Sequence, residues 1–217
     1  MNLAQERGLF VTFEGIEGVG KSTQVALTAA ALRELGYAVA VTREPGGTAV
    51  GERIREVLLA TDLPPMRPMT ELLLMFAARA EHLAQTIEPA LDRGEIVLCD
   101  RFLDATYAYQ GGGRGMAMEN IRALDQLVVG ARGPVLTILL DAPVPLALAR
   151  AAARRGGTDR FEQERADFFE RVRDGYLARA EAEPKRFHVV DAGASPAAVN
   201  EVILALVTGA LEARVGP

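Results

Sequence analysis

Cysteine is almost missing from this chain, tryptophan is missing altogether, and histidine occurs only twice. With Cys99 alone no intrachain disulfide can form, and its place in an apolar run points to a buried thiol in a reducing compartment. His82, His188 and Cys99 lie too far apart to give the ligand spacing of a zinc site, so both histidines are read as structural or surface residues. Positive charge is not in excess either. Lysine and arginine number 24 against 29 acidic residues, and the resulting −5 argues against a broad electrostatic grip on nucleic acid. No uninterrupted apolar run approaches a membrane span, and residues 1–7 lack the apolar segment of a secretion signal. The expectation is one soluble, cytoplasmic domain over residues 1–217, with no nucleic-acid or membrane partner.

What the chain does have is concentrated near its start. An apolar run from Leu9 to Phe13 enters a loop reading G-x-x-x-x-G-K-S, and a helical pattern follows directly. Strand before and helix after is the setting a phosphate-binding P-loop requires. Glycines at 15, 18 and 20 allow the tight turn that brings backbone N–H groups inward against phosphate oxygens. The cradle comprises Gly15, Ile16, Glu17, Gly18, Val19, Gly20, Lys21, Ser22 and Thr23. The helix opening near Lys21 adds unpaired N–H groups and the positive end of its dipole. Lys21 is expected to reach the β- and γ-phosphates, and the Ser22 hydroxyl to hold Mg²⁺. The motif implies a bound nucleoside triphosphate.

Beyond the loop, strand and helix patterns alternate. Val25, Ala29 and Leu32 recur at helical spacing until Gly36, and 38–42 reads as a second strand. A turn at 43–47 precedes a helix with Val50, Ile54, Val57 and Leu58 on one face. A long helical pattern over 69–93, bent near Pro89 and stopped by Gly94, leads to a third strand at 96–99. A polar, glycine-rich passage at 104–115 comes before a helix carrying Ile121, Leu124, Leu127 and Val128. A fourth strand at 135–140 is apolar throughout, as a strand covered on both faces should be. A helix over 145–154 and one with Phe168, Val172 and Tyr176 in register follow, then a strand at 187–190. Ser195-Pro196 caps a final helix with Val199, Val202, Ile203 and Leu206 inward. This alternation predicts an α/β three-layer domain of the P-loop type, with a parallel sheet whose strand ends gather the ligands.

Several charged residues fall at those strand ends. Asp100 follows an apolar strand, where a carboxylate can hold Mg²⁺ directly or through water. Arg101 beside it offers a planar, bidentate donor suited to phosphate. Arg43 and Arg55 arrive at the same edge, and together the three suggest a second phosphate site distinct from the cradle. The arginines at 150, 154, 155 and 160, with Gly156 and Gly157 between them, read either as a solvated basic turn or as a lid at about 150–161. A lid would close over the triphosphate, exclude water and place an arginine on the transferred group.

The P-loop run, Thr42-Arg43-Glu44-Pro45-Gly46-Gly47-Thr48, Asp100-Arg101-Phe102 and Ala108-Tyr109-Gln110-Gly111-Gly112-Gly113-Arg114 together resemble bacterial thymidylate kinases, in the same order and spacing from about Leu9 to the final helix. The resemblance implies a five-stranded parallel sheet, transfer of the γ-phosphoryl of ATP to dTMP with Mg²⁺, and a homodimer. It implies that Glu14 sits near the acceptor sugar and the metal, and Arg43, Arg55 and Arg101 near the dTMP phosphate. Arg79 and Thr106 would bond the thymine edge with Gln110 close by, and Tyr109 would pack against the sugar. Arg155 would be the catalytic arginine, acting with Lys21, Arg101 and Glu14. The family's base-stacking phenylalanine usually stands four residues before the thymine-binding arginine. Here Met75 holds that place and Phe76 stands three before Arg79, so Phe76 is expected to stack, with Met75 as the alternative.

Two rival activities remain at this point. One is a kinase for another nucleoside monophosphate or for a deoxynucleoside. The other is a P-loop switch or ATPase acting on a macromolecular partner, which would need a water-orienting residue and a partner surface that the sequence does not display.

Overall fold

The computed structural model describes residues 8–153, 160–161 and 164–215. Five strands, β1 (Phe10–Glu14), β2 (Val39–Arg43), β3 (Ile96–Asp100), β4 (Leu136–Asp141) and β5 (Phe187–Asp191), form one parallel sheet in the order β2-β3-β1-β4-β5. The central strand is therefore the one that feeds the P-loop. Alternate residues of β1 and β3 point to opposite layers. Val11, Phe13, Ile96 and Leu98 enter one apolar cluster, while Phe10, Val97 and Cys99 enter the other. That double burial explains why these strands are apolar without alternation.

Helices α1 (Lys21–Glu34), α8 (Ala166–Ala182) and α9 (Pro196–Val215) contribute to the first cluster, with Val25, Phe168, Tyr176 and Ile203 among its members. Helix α3 (Pro68–His82) and α6 (Met118–Val128) contribute Leu72, Phe76 and Ile121 to the second. Helix α2 (Ala49–Leu59) packs beside α3, and α7 (Val144–Ala152) beside α8. The long pattern after Pro68 is three pieces: α3, a π-helical turn (Leu83–Ile87) and α4 (Glu88–Asp92). The irregularity falls just before Pro89, which supplies no N–H to the helical ladder.

The structure corrects the inward face of the last helix and adds two features that the sequence left open. The glycine-rich passage after β3 is helical: α5 (Leu103–Thr106) runs into a second π-helical turn (Tyr107–Gly113) packed on α8. A Cβ on Gly112 would lie 2.8 Å from the Arg171 carbonyl, and one on Gly113 2.5 Å from the Phe168 ring. These two glycines allow the close approach of α8. In α9, Val199, Ile203 and Val207 are buried while Val202 is half exposed, so the inward stripe follows the i, i+4, i+8 positions. That helix is also long and apolar enough, by length and composition alone, to match a membrane span, which the sequence had not suggested. The cap expected at its start is present, with Ser195 Oγ accepting from Ala198 N at 3.3 Å.

Strand register sets up the site. Phe13 stands beside Asp100, Asp100 beside Arg43, and Asp141 beside Asp191. The P-loop, the turn after β2 and the Asp100-Arg101 pair are thereby brought to one edge of the sheet.

Candidate active site

At that edge lies a cavity of about 620 Å³, walled by residues of the P-loop, the turn after β2, α3, the β3–α5 junction and the loop after β5. Gly18, with φ 79°, passes so close to α7 that a Cβ would fall 1.8 Å from the Ala147 carbonyl. Lys21, the first residue of α1, is buried and donates to the carbonyls of Gly15 (3.1 Å) and Ile16 (2.7 Å). Burial, and secondarily the Arg101 charge, lowers its ammonium to about 8. Ser22 Oγ donates to Asp100 Oδ2 at 2.6 Å, joining the P-loop hydroxyl to the strand-end carboxylate. Two hard oxygen donors beside a phosphate cradle suit Mg²⁺, which takes few protein ligands and completes its shell from phosphates and water. Among the described residues no group of three or more His, Cys, Asp or Glu gathers as an all-protein metal cage.

Arg101 occupies the centre. Its backbone is left-handed at φ 69°, a conformation disfavoured for an L side chain and held here by the surrounding bonds. Nη1 donates to Gly15 O and Tyr176 Oη, both at 3.0 Å, and Nη2 to Glu17 Oε1 at 2.8 Å and Tyr109 Oη at 3.0 Å. Each tyrosine hydroxyl in turn donates to a carboxylate: Tyr109 to Glu17 (2.5 Å) and Tyr176 to Glu14 (2.8 Å). Glu14 is fully buried and does not line the cavity. Its other oxygen accepts from Phe102 N at 2.7 Å, so it fastens the turn that presents Arg101. The expectation that Glu14 sits near sugar and metal is corrected: its strand position turns it inward, and Glu17, three residues on in the loop, is the P-loop carboxylate that lines the cavity. Burial and then Asp104 raise Glu14 to about 7.

Away from the P-loop, Arg79 is almost fully buried yet lines the cavity. Nε donates to Glu44 Oε2 at 2.8 Å, and Nη2 to Phe102 O and Thr106 Oγ1, both at 3.0 Å. Gln110 Nε2 donates to the buried Glu71 carboxylate at 2.9 Å, which fixes the amide's orientation. Arg79 Nη1 and Gln110 Oε1 are left as a donor and an acceptor, both buried and without a partner among the described residues. Glu71 also accepts from Arg160 Nη2 at 2.6 Å. Arg43 pairs with Glu52 at 2.8 Å, and Arg55 donates to Pro45 O at 2.9 Å.

The cavity therefore brings together Glu17 to Thr23, Arg43, Arg55, Arg79, Asp100, Arg101, Thr106, Tyr109 and Gln110. Gly15 and Ile16 stand just behind it, serving through their carbonyls. Phe76 does not line it. Its ring is buried in the second cluster with the Arg79 guanidinium 4.9 Å from its centroid, whereas Met75 faces the cavity. One residue along α3 is about 100° of rotation, enough to separate the core face from the cavity face. Arg155 lies outside the described residues, as does half of the suspected lid, 154–159. Glu44, Glu71 and Tyr176 were not foreseen as site residues. Only the Arg43-Glu44-Pro45 run hinted at the first, and Tyr176 looked like any core aromatic on a helix.

A P-loop after the central strand of a parallel sheet, facing an arginine-lined second anion site, defines a P-loop nucleotide-binding enzyme with two ligand ends. The family model for thymidylate kinase matches residues 13–203. Thymidylate kinases of Pseudomonas entomophila and Pseudomonas syringae pv. tomato are 59% and 57% identical to it. The first alignment covers 94% of this chain and 97% of the relative, the second 96% and 99%. The crystal structure of thymidylate kinase from Ehrlichia chaffeensis superposes with a TM-score of 0.77 at 33% identity, covering 93% of this chain and 99% of that one. The chain belongs to the thymidylate kinase family, and is a phosphotransferase.

Proposed function

We infer that this chain transfers the γ-phosphoryl group of ATP to dTMP, giving dTDP and ADP, a step toward dTTP. The observation that carries the reading is a single cavity with Lys21 and Ser22 at one end and Arg79 and Gln110 at the other. The partnerless Arg79 Nη1 donor and Gln110 Oε1 acceptor match a pyrimidine edge that offers one carbonyl and one N–H. Met75 supplies an apolar, polarisable side chain for the face of that ring. Tyr109, held between Glu17 and Arg101, closes the sugar region, and the guanidinium groups of Arg43, Arg55 and Arg101 attract the monophosphate. The wall formed by Arg150, Ala192, Ala194 and Pro196 is left for the adenosine end.

The acceptor oxygen of dTMP is already ionised, so no general base is required. Catalysis rests on alignment and on charge stabilisation by Lys21, Arg101 and, from the lid, Arg155. Mg²⁺ would be held by Ser22 and Asp100 and would supply positive charge to the phosphate oxygens. A triphosphate beside Lys21 would favour the charged form of the lysine further. The exposed Met69, Leu73 and Leu127 on α3 and α6 support a homodimer through these helices, and the single free thiol suits a cytoplasmic enzyme.

ADP formation measured with dTMP, dUMP, AMP or water as acceptor tests the assignment. The expected order puts dTMP first, with AMP poor and water negligible. Equal ADP release without any acceptor would instead favour a P-loop ATPase.

A further inference from the structure

His82 ends α3, three residues after Arg79, and is completely buried. It does not line the cavity. Its ring nevertheless has both nitrogens engaged. Nδ1 lies 2.9 Å from Glu44 Oε1, and Nε2 lies 2.6 Å from Thr42 Oγ1. An ionised carboxylate can only accept, so Nδ1 donates to Glu44, and in the neutral ring Nε2 accepts the Thr42 hydroxyl proton. If the site asked only for volume, an aliphatic side chain would fill it without desolvating an imidazole.

The partner makes the ring consequential. Glu44 divides its two oxygens between His82 and Arg79, whose Nε is 2.8 Å from Oε2. A carboxylate gripped at both oxygens has a fixed plane, and that plane fixes the tilt of the Arg79 guanidinium, hence the direction of its partnerless Nη1. The same ring also backs the turn after β2. A Cβ on Gly47 would sit 2.5 Å from His82 Cδ2 and Nε2 and 2.7 Å from Thr42 Oγ1, so the turn's backbone rests directly on the imidazole. Thr86 Oγ1 ties that turn to the following helical segment through Gly47 O at 2.9 Å. Pro45 of this turn accepts from Arg55, and both residues line the cavity.

We propose that His82 is a positioning residue for the phosphoryl acceptor: through Glu44 and the 43–47 turn it sets both the base-facing Arg79 and the phosphate-facing Arg55. This rests on the reading that Arg79 meets the acceptor base. The role concerns one end of the cavity only, because His82's two hydrogen bonds go to Thr42 and Glu44 and not to the P-loop.

Steady-state kinetics with each nucleotide varied in turn distinguish this from simple packing. His82→Leu should raise KM for dTMP about tenfold, the loss of one charge-assisted bond, while kcat and KM for ATP stay within about twofold of the parent. His82→Asn, whose Nδ2 can replace Nδ1 toward Glu44, should return KM for dTMP to within about threefold, and Thr42→Val should raise it about threefold. An unchanged KM in His82→Leu, equal impairment in the leucine and asparagine variants, or a matching rise in KM for ATP would overturn the proposal. Should His82→Leu fail to fold, Thr42→Val decides: a selective rise in KM for dTMP supports the role, and no rise refutes it. Arg79→Lys measured alongside separates the two readings. If it leaves KM for dTMP unchanged, the placement of the base is wrong. If it raises KM while His82→Leu does not, only the histidine's role falls.

Discussion

The two ends of the cavity are made from different material. The triphosphate end is mostly backbone from one continuous run, residues 15–23, shaped by glycines and the start of α1. The monophosphate end is side chain, delivered by the turn after β2, by α2, α3 and α5, and by the π-helical turn that follows. In the proposed function a loop conformation would do the binding at the first end, and each residue's role follows from its neighbours in sequence. At the second, Arg79, Glu44, His82, Thr106, Gln110 and Glu71 form two bonded groups whose directly bonded partners are up to 39 positions apart. A backbone site tolerates much variation in its surroundings, whereas a side-chain site is only as well aimed as the buried groups behind it.

That contrast can be broken most severely at Lys21, one of the few side chains the triphosphate end depends on. Lys21→Met should lower kcat by about 10²–10³, since a charge aimed at the transferring phosphoryl group is lost. Its urea midpoint should hold or rise, because a buried cation is removed. A kcat within a few-fold of the parent would transfer the role elsewhere.

At the other end, neighbouring residues should separate cleanly. Phe76→Ala should destabilise the fold by about 3–5 kcal/mol through the cavity it leaves, with little change in KM for dTMP in the folded fraction. Met75→Ala should raise that KM about five-fold at nearly unchanged stability, having lost one apolar contact with the base. Chemical denaturation and kinetics on both variants check this, and the reverse pattern would restore Phe76 as the stacking residue.

The smallest effect sharpens the junction between the ends. Glu14, held near 7 rather than 4.5, keeps its proton in the fold across a range where the unfolded chain has lost it. Its contribution to stability is therefore unchanged below about 4.5, falls as pH rises toward 7, and is level above that. Glu14→Gln should remove this fall, about 1–3 kcal/mol in the difference between pH 5 and pH 8. Equal pH dependence in the two proteins would show the carboxyl to be ionised throughout.

Legibility in the sequence followed the same division. The sheet, the P-loop and the Ser22–Asp100 pair were plain because glycine spacing and apolar strand runs are local signals. The inward turn of Glu14 was not, since a strand covered on both faces has no alternation to say which way a residue points. Met75 and Phe76 are both apolar and adjacent, and their order around α3 depends on what packs against it. Gly112 and Gly113 gave no sign of their purpose, because the helix they let approach, α8, lies some 60 residues further along. His82 gave no signal alone; only its two partners, Thr42 and Glu44, make it more than a core residue.

The central claim is that two nucleotides meet end to end in one cavity. Titration calorimetry with thymidine and adenosine joined through five phosphates tests it most directly. One molecule should bind per chain, more tightly than either mononucleotide, displacing both dTMP and ATP, and each of Lys21→Met and Arg79→Lys should weaken it. Binding of two such molecules per chain, or displacement of only one nucleotide, would contradict the account.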